Sequence, residues 1–254
     1  MAQAFGWSSI FWLPALIHVA QIVIAARMRS DWRVILNDSR PVNPEHEKPH
    51  PEGALFLKLA WIANPFAYIA INATIPLLPD LANRLQLSPA FAGFFCSIWF
   101  FARTATFVAL ALWPGWHYRF SHLAASYIGM VGSFAAMLLA NNLAVVIAVQ
   151  ALFGWCLGLI YYSSLYYSMH VGETKGEHGG IHEAALGAGI FGGPAIGAAS
   201  LYLVPGQSRS SVIGVGVALS VGLVALLFLR FSASRRGIQP AARATAAADA
   251  SGKT

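Results

Sequence analysis

The sequence predicts an all-α, polytopic membrane protein with seven transmembrane helices. Three observations carry that expectation. Apolar residues make up 57% of the 254-residue chain and Asp, Glu, Lys and Arg only 10%, against about 25% charged residues in a soluble domain. Mean hydropathy is +0.60. Seven stretches of the chain reach the roughly 20 mostly apolar residues that a spanning helix needs. This composition excludes a disordered chain, an ordinary soluble enzyme and a nucleic-acid-binding module. The expected partner is the lipid bilayer, with no nucleic acid.

The spans follow in order. The first, Trp7 to Ala26, has no positively charged residue before it, unlike a signal peptide, and is read as retained. A polar, Pro-rich linker runs from Arg27 to Gly53. The remaining spans are Ala54 to Leu78, Ser88 to Leu112, Phe120 to Leu139, Asn142 to Met169, Gly180 to Leu203 and Ser211 to Arg230. Breakers separate them: Pro79-Asp80, Pro114-Gly115, Asn141-Asn142, the polar stretch Val171 to Gly179, and Pro205-Gly206. The Ala-rich tail after Arg230 reads as a solvated, disordered end. The domain organisation is thus an orphan helix over 1–26, a linker over 27–53, a six-helix bundle over 54–230 and a tail over 231–254. Cys96 and Cys156 both lie in apolar runs, too few and too deep for a disulfide framework.

Charge gives the sidedness. Of the 16 Lys and Arg, those at 27, 29, 33, 40, 48, 58, 119, 175, 230, 235, 236, 243 and 253 fall on one side of a seven-span chain. Arg84 and Arg209 fall on the other, and Arg103 lies within a span. Cationic loops stay cytoplasmic, so the N-terminus is expected outside and the C-terminus in the cytoplasm. The plasma membrane, a bacterial inner membrane, is the expected location.

The sixth span carries the most specific pattern. It reads Gly180, eight residues, Gly189, three residues, Gly193-Pro194, two residues, Gly197-Ala198. Small residues four apart let helices approach closely, and proline bends a helix. On those terms alone this is a tightly packed, kinked helix. The spacing also resembles the antiporter motif of the major facilitator superfamily, departing from it only at Ala198. In that family the motif lies on the fifth helix of a six-helix half, as it does here counting from Ala54. The resemblance implies that the chain is similar to the C-terminal half of such a carrier plus the last helix of the first half. A second six-helix half, from another chain or a second copy, is then an implied partner. One motif departs from the family: the loop Trp113-Pro114-Gly115-Trp116-His117-Tyr118-Arg119 has no acid.

Candidate solute-contacting residues come from intramembrane polar groups, which usually face the bundle interior or water. In the second span Asn64, Tyr68 and Asn72 recur every four residues, with Trp61 on the same arc and Pro65 and Pro76 as expected kinks. The resemblance implies that this span lines the central cavity; the alternative is hydrogen bonding to neighbouring helices. Arg103 lies nine residues before Leu112, roughly 13 Å along the helix, too deep to reach the surface fully. It is either an anion-attracting or gating group or a structural partner to a carbonyl or a distant acid. Gln150, Tyr161 and Tyr162 on the fifth span complete the set, with Gly154 and Gly158 as a packing pair. Tyr166 and Tyr167 read as interfacial belt residues.

The remaining signals are weaker. His178 and His182 are spaced i, i+4, but Gly179-Gly180 is expected to interrupt the helix between them. They read as solvated loop residues rather than a metal site, and no cofactor is implied. None of the 10 acids lies at the centre of a span. No Gly-x-Ser-x-Gly or His-Glu-x-x-His motif occurs, so an enzyme is not expected. The leading expectation is a transporter, or transporter half, moving a small solute by alternating access, with export or antiport as its direction. The alternative is a seven-helix receptor or sensor; a retinal protein is excluded because Ser211 to Arg230 contains no lysine.

Overall fold

The computed structural model describes residues 16–17, 19–20, 22–24, 27, 50–171, 175–205 and 210–251, with side chains described to residue 234 except at 138 and 175. The chain divides into two compact units, Met1–Lys48 and Pro49–Thr254. In the first unit the described residues are helical. The rest of the expected first span and the linker to residue 49 lie outside the described residues.

The second unit is all helix: α1 Gly53–Thr74, α2 Leu77–Arg84, α3 Pro89–Leu112, a single 3-10 turn at Pro114–Trp116, α4 Phe120–Leu139, α5 Leu143–His170, α6 Lys175–Leu203 and α7 Ser210–Ser251. Five of these, α1, α3, α5, α6 and α7, are long and apolar enough to cross a membrane. The chain is therefore helical and of membrane-protein character, with five such helices among the described residues. α4 has 20 residues, about 30 Å at the helical rise.

Local chemistry sets the helix ends. Pro89 opens α3, and the Ser88 side chain accepts from the Phe91 amide, the usual N-terminal cap. Asn142 caps α5 through the amides of Ala144 and Val145, at 2.9 and 3.3 Å. Three boundaries differ from expectation. The second span does not run to Leu78: α1 ends at Thr74 and the amphipathic α2 follows Pro76, because proline lacks the amide that would continue the ladder. Pro65, by contrast, is carried inside α1. The sixth span begins at Lys175 rather than Gly180, passing through Gly179-Gly180 without interruption. The seventh does not stop at Arg230; α7 continues to Ser251, where alanine, the strongest helix former, dominates.

The bundle is organised around two inner helices. In the apolar windows of α1 and α5, 56% and 50% of residues are buried, against 17–22% in α3, α6 and α7. α1 packs on α5. α3 packs mainly on α5 while α6 packs mainly on α1, and α4 packs on α5 as α7 packs on α1. The triples α1-α3-α4 and α5-α6-α7 thus repeat one neighbour pattern, each laying its second and third helices on the other's first. Phe56, Leu59, Ala63, Tyr127, Phe153, Ile160 and Leu219 fill the centre.

Glycine sets the closest approaches. A Cβ at Gly154 would run into the Trp99 carbonyl oxygen, and one at Gly158 would lie 2.6 Å from Thr106 Cβ. On α6, Gly189 backs onto the Pro65 carbonyl and Tyr68, and Gly193 onto the Ile69 carbonyl at 2.9 Å. The motif glycines therefore divide. Gly189 and Gly193 seat α6 on α1, Gly197 faces Ser211 of α7, and Gly180 meets nothing within 4 Å. Pro194 is exposed.

Candidate functional site

One polar and aromatic seam is contributed by α1, α3, α5 and α6. Its centre is Arg103. The guanidinium Nη2 donates to the Tyr68 hydroxyl at 3.0 Å. Its Cζ lies 4.7 Å from the Tyr161 ring centroid and 5.5 Å from each of Tyr68 and Phe107. Nε is buried and makes no hydrogen bond among the described residues. No ion pair to Arg103 occurs among them either.

These magnitudes matter together. A cation at a helix centre costs about 2.5–3.5 kcal/mol on insertion scales. Each ring face returns about 0.5–2 kcal/mol, and the phenol hydrogen bond about 1.5–3 kcal/mol because one partner is charged. The rings and one hydroxyl thus hold the charge in place while the buried Nε–H stays without a partner among the described residues.

The seam continues along the inner helices. The Tyr161 ring meets His182 at 5.2 Å. His182 is 1% exposed, and its Nδ1 lies 2.8 Å from Ser164 Oγ, while Nε2 has no partner among the described residues. Further on, Trp61 Nε1 donates to Ser168 Oγ at 3.0 Å, and the Trp61 ring meets His178 at 5.3 Å. His178 and His182 therefore turn to different partners, Trp61 and Ser164. Among the described residues no group of three metal-ligating side chains occurs.

The structure draws together Trp61, Tyr68, Arg103 and Tyr161 of the expected site residues, while the others make different contacts. Asn72 donates to the Tyr68 carbonyl on its own helix at 2.9 Å. Tyr162 packs on Phe107 and Trp116. Asn64 and Gln150 are each 0% exposed, with both amide atoms unpartnered among the described residues. His182, Ser164 and Ser168 are part of the seam that sequence reading missed. The available signal was spacing: Tyr161, Ser164 and Ser168 lie on one helical face, opposite the i, i+4 histidines of α6.

The end of the bundle carrying Arg119 and Arg230 is tied by aromatic contacts. The His50 and Tyr118 rings stack at 3.7 Å, and the Tyr118 amide donates to the Tyr167 hydroxyl at 2.8 Å. Those contacts hold Tyr118 at a left-handed φ of 54°, a conformation costing about 1–3 kcal/mol in a non-glycine residue. Arg230 pairs with Glu52 and lies over the rings of Phe56 and Phe120. Tyr166 is sandwiched between His117 and His170, at 4.2 and 4.0 Å. Burial and then the neighbouring His170 hold the His117 pKa below its ordinary value. The loop that lacks the expected acid is thus fastened by ring stacking. At the opposite end lies a pocket of about 810 Å³, lined by Thr74, Asp80, Arg84, Phe134, Met137 and Ile213 among others.

No protein-family model matches the chain, and no curated protein matches it.

Proposed function

We propose that the chain forms one six-helix half of a membrane transporter of the major facilitator type, working with a second half to move a small solute by alternating access. The observation that carries this reading is the doubled neighbour pattern. Two three-helix groups cross-packed on a central α1–α5 pair are what a half built from nested repeats requires, and carriers of this kind bind solute near the midplane. The half-buried Arg103–Tyr68–Tyr161 cluster supplies the polar groups such a site needs. The antiporter-like glycine spacing supports the same reading through Gly189 and Gly193, which let α6 lie directly on α1. The charge distribution supports seven spans with the Arg119 and Arg230 end in the cytoplasm, and the N-terminus outside, of a plasma membrane.

The test is uptake. Vesicles from cells making the chain are compared with vesicles lacking it, using mass spectrometry over a broad panel of metabolites. Saturable accumulation or extrusion of one solute class is expected, abolished by Gly189→Leu, which wedges α6 from α1. Equal solute contents, with the chain verified in the membrane, would contradict the reading. A ligand-dependent conformational change without any flux would favour the competing one, a seven-helix receptor or sensor.

A further inference from the structure

We infer that the seam around Arg103 is a binding site for a small monocarboxylate solute, an inference that rests on the transport reading and names its substrate class. The argument is one of donors and charge. Arginine is a permanent cation, and such a charge inside a span needs a counter-charge. Among the described residues it has no ion pair. Glu183, next to His182, is exposed and acts electrostatically on Tyr161 and His182, but it makes no ion pair with Arg103 among the described residues.

Two of the three rings facing the guanidinium, Tyr68 and Tyr161, carry hydroxyls able to donate. The Tyr68 oxygen accepts from Arg103, so its own hydrogen is left to donate outward. The Tyr161 hydroxyl has no hydrogen-bond partner among the described residues and its ring stays part-exposed. A guanidinium fork beside two phenol hydroxyls is a donor-rich set. That set fits a carboxylate, which offers only acceptors in the planar geometry that arginine matches bidentately.

Charge count narrows the class. Arg103 is the one Lys or Arg deep within a span, so this half neutralises one negative charge, not two. Phe107, at 5.6 Å from the Tyr161 ring, supplies an apolar wall. The occupant is therefore a monoanionic carboxylate with a compact apolar body, rather than a dianionic phosphate ester.

The experiment uses the full chain in phosphatidylcholine nanodiscs at constant ionic strength, with chloride as reference anion. Thermal stability is measured with lactate, acetate and benzoate, and with the neutral amides lactamide, acetamide and benzamide. A concentration-dependent rise in Tm with at least one carboxylate and not its amide is expected. Arg103→Gln should abolish the rise and Arg103→Lys should weaken it, while both keep the helical circular dichroism of the parent. Tyr68→Phe, which removes one hydroxyl and leaves the ring, should weaken binding about five-fold, the worth of one hydrogen bond. Equal responses to acids and amides, no response to any of the three acids, or a response that survives in Arg103→Gln would overturn the inference. Flux of a neutral solute in the vesicle comparison would overturn the inference and leave the transport reading standing. Arg103-dependent carboxylate binding without flux would do the reverse.

Discussion

Arg103 concentrates the chemistry of this chain in one residue, and the sequence marked it clearly because no other Lys or Arg lies deep in a span. Tyr68 was legible from its polar stripe and Tyr161 from its aromatic run. Asn64 was legible as polar but not as buried. Positions i, i+4 and i+8 drift around the helix by about 40° each step, so one end of the stripe rolls into the core. Its two unpartnered amide atoms make a prediction. Asn64→Val should raise thermal stability in detergent, by about 1 kcal/mol, because an unsatisfied buried amide is removed; lowered stability would show that the amide has a partner. At the basic end, His117 titrates below its ordinary value because it is part-buried and beside His170. An unfolded chain then takes up a proton that the folded one refuses, so stability should fall as pH drops below about 6.5. His117→Gln should flatten that part of the Tm-against-pH curve.

At the scale of elements, the existence of α1 and α3 to α7 followed from apolar runs, while their ends did not. Pro65 and Pro76 look alike in the sequence, yet one sits inside α1 and the other ends it. The difference is context: Pro65 lies at the closely packed α1–α6 contact, whereas Ile75 and Pro76 are exposed. Gly179-Gly180 suggested a break that the structure does not make, since in a long apolar helix every backbone group is best satisfied within the helix itself. His182 was consequently read as a loop residue and is in fact buried against Ser164. Glycines separate into contact and spacer positions, which sequence spacing alone cannot sort. Gly154→Ala should destabilise by about 1–3 kcal/mol through overpacking against the Trp99 carbonyl. Gly132→Ala, where a Cβ meets nothing within 4 Å, should instead gain up to about 1 kcal/mol of helix propensity. Thermal melts of the two variants in detergent check both signs.

On the scale of the whole molecule, a hydropathy profile gives the number of apolar runs but not which helix lies on which. The cross-packing of α3 on α5 and α6 on α1 depends on the faces made by Gly154, Gly158, Gly189 and Gly193, and only the α6 pattern hinted at it. The charge pattern, in contrast, is visible in both: Lys58, Arg119 and Arg230 belong to the end held by Glu52, Tyr118 and Tyr167, and Arg84 belongs to the other. The central claim is that the seam around Tyr68 and Arg103 opens to water on both sides of the membrane in turn. Side-resolved thiol labelling tests it most directly. With Cys96 and Cys156 replaced by serine, a single cysteine at Asn72, beside the seam, and one at Val224, exposed on α7, are treated with a membrane-impermeant maleimide in vesicles of each orientation. The cysteine at 72 should be labelled from both sides and the one at 224 from neither. Labelling of position 72 from one side only, or from neither, would contradict alternating access.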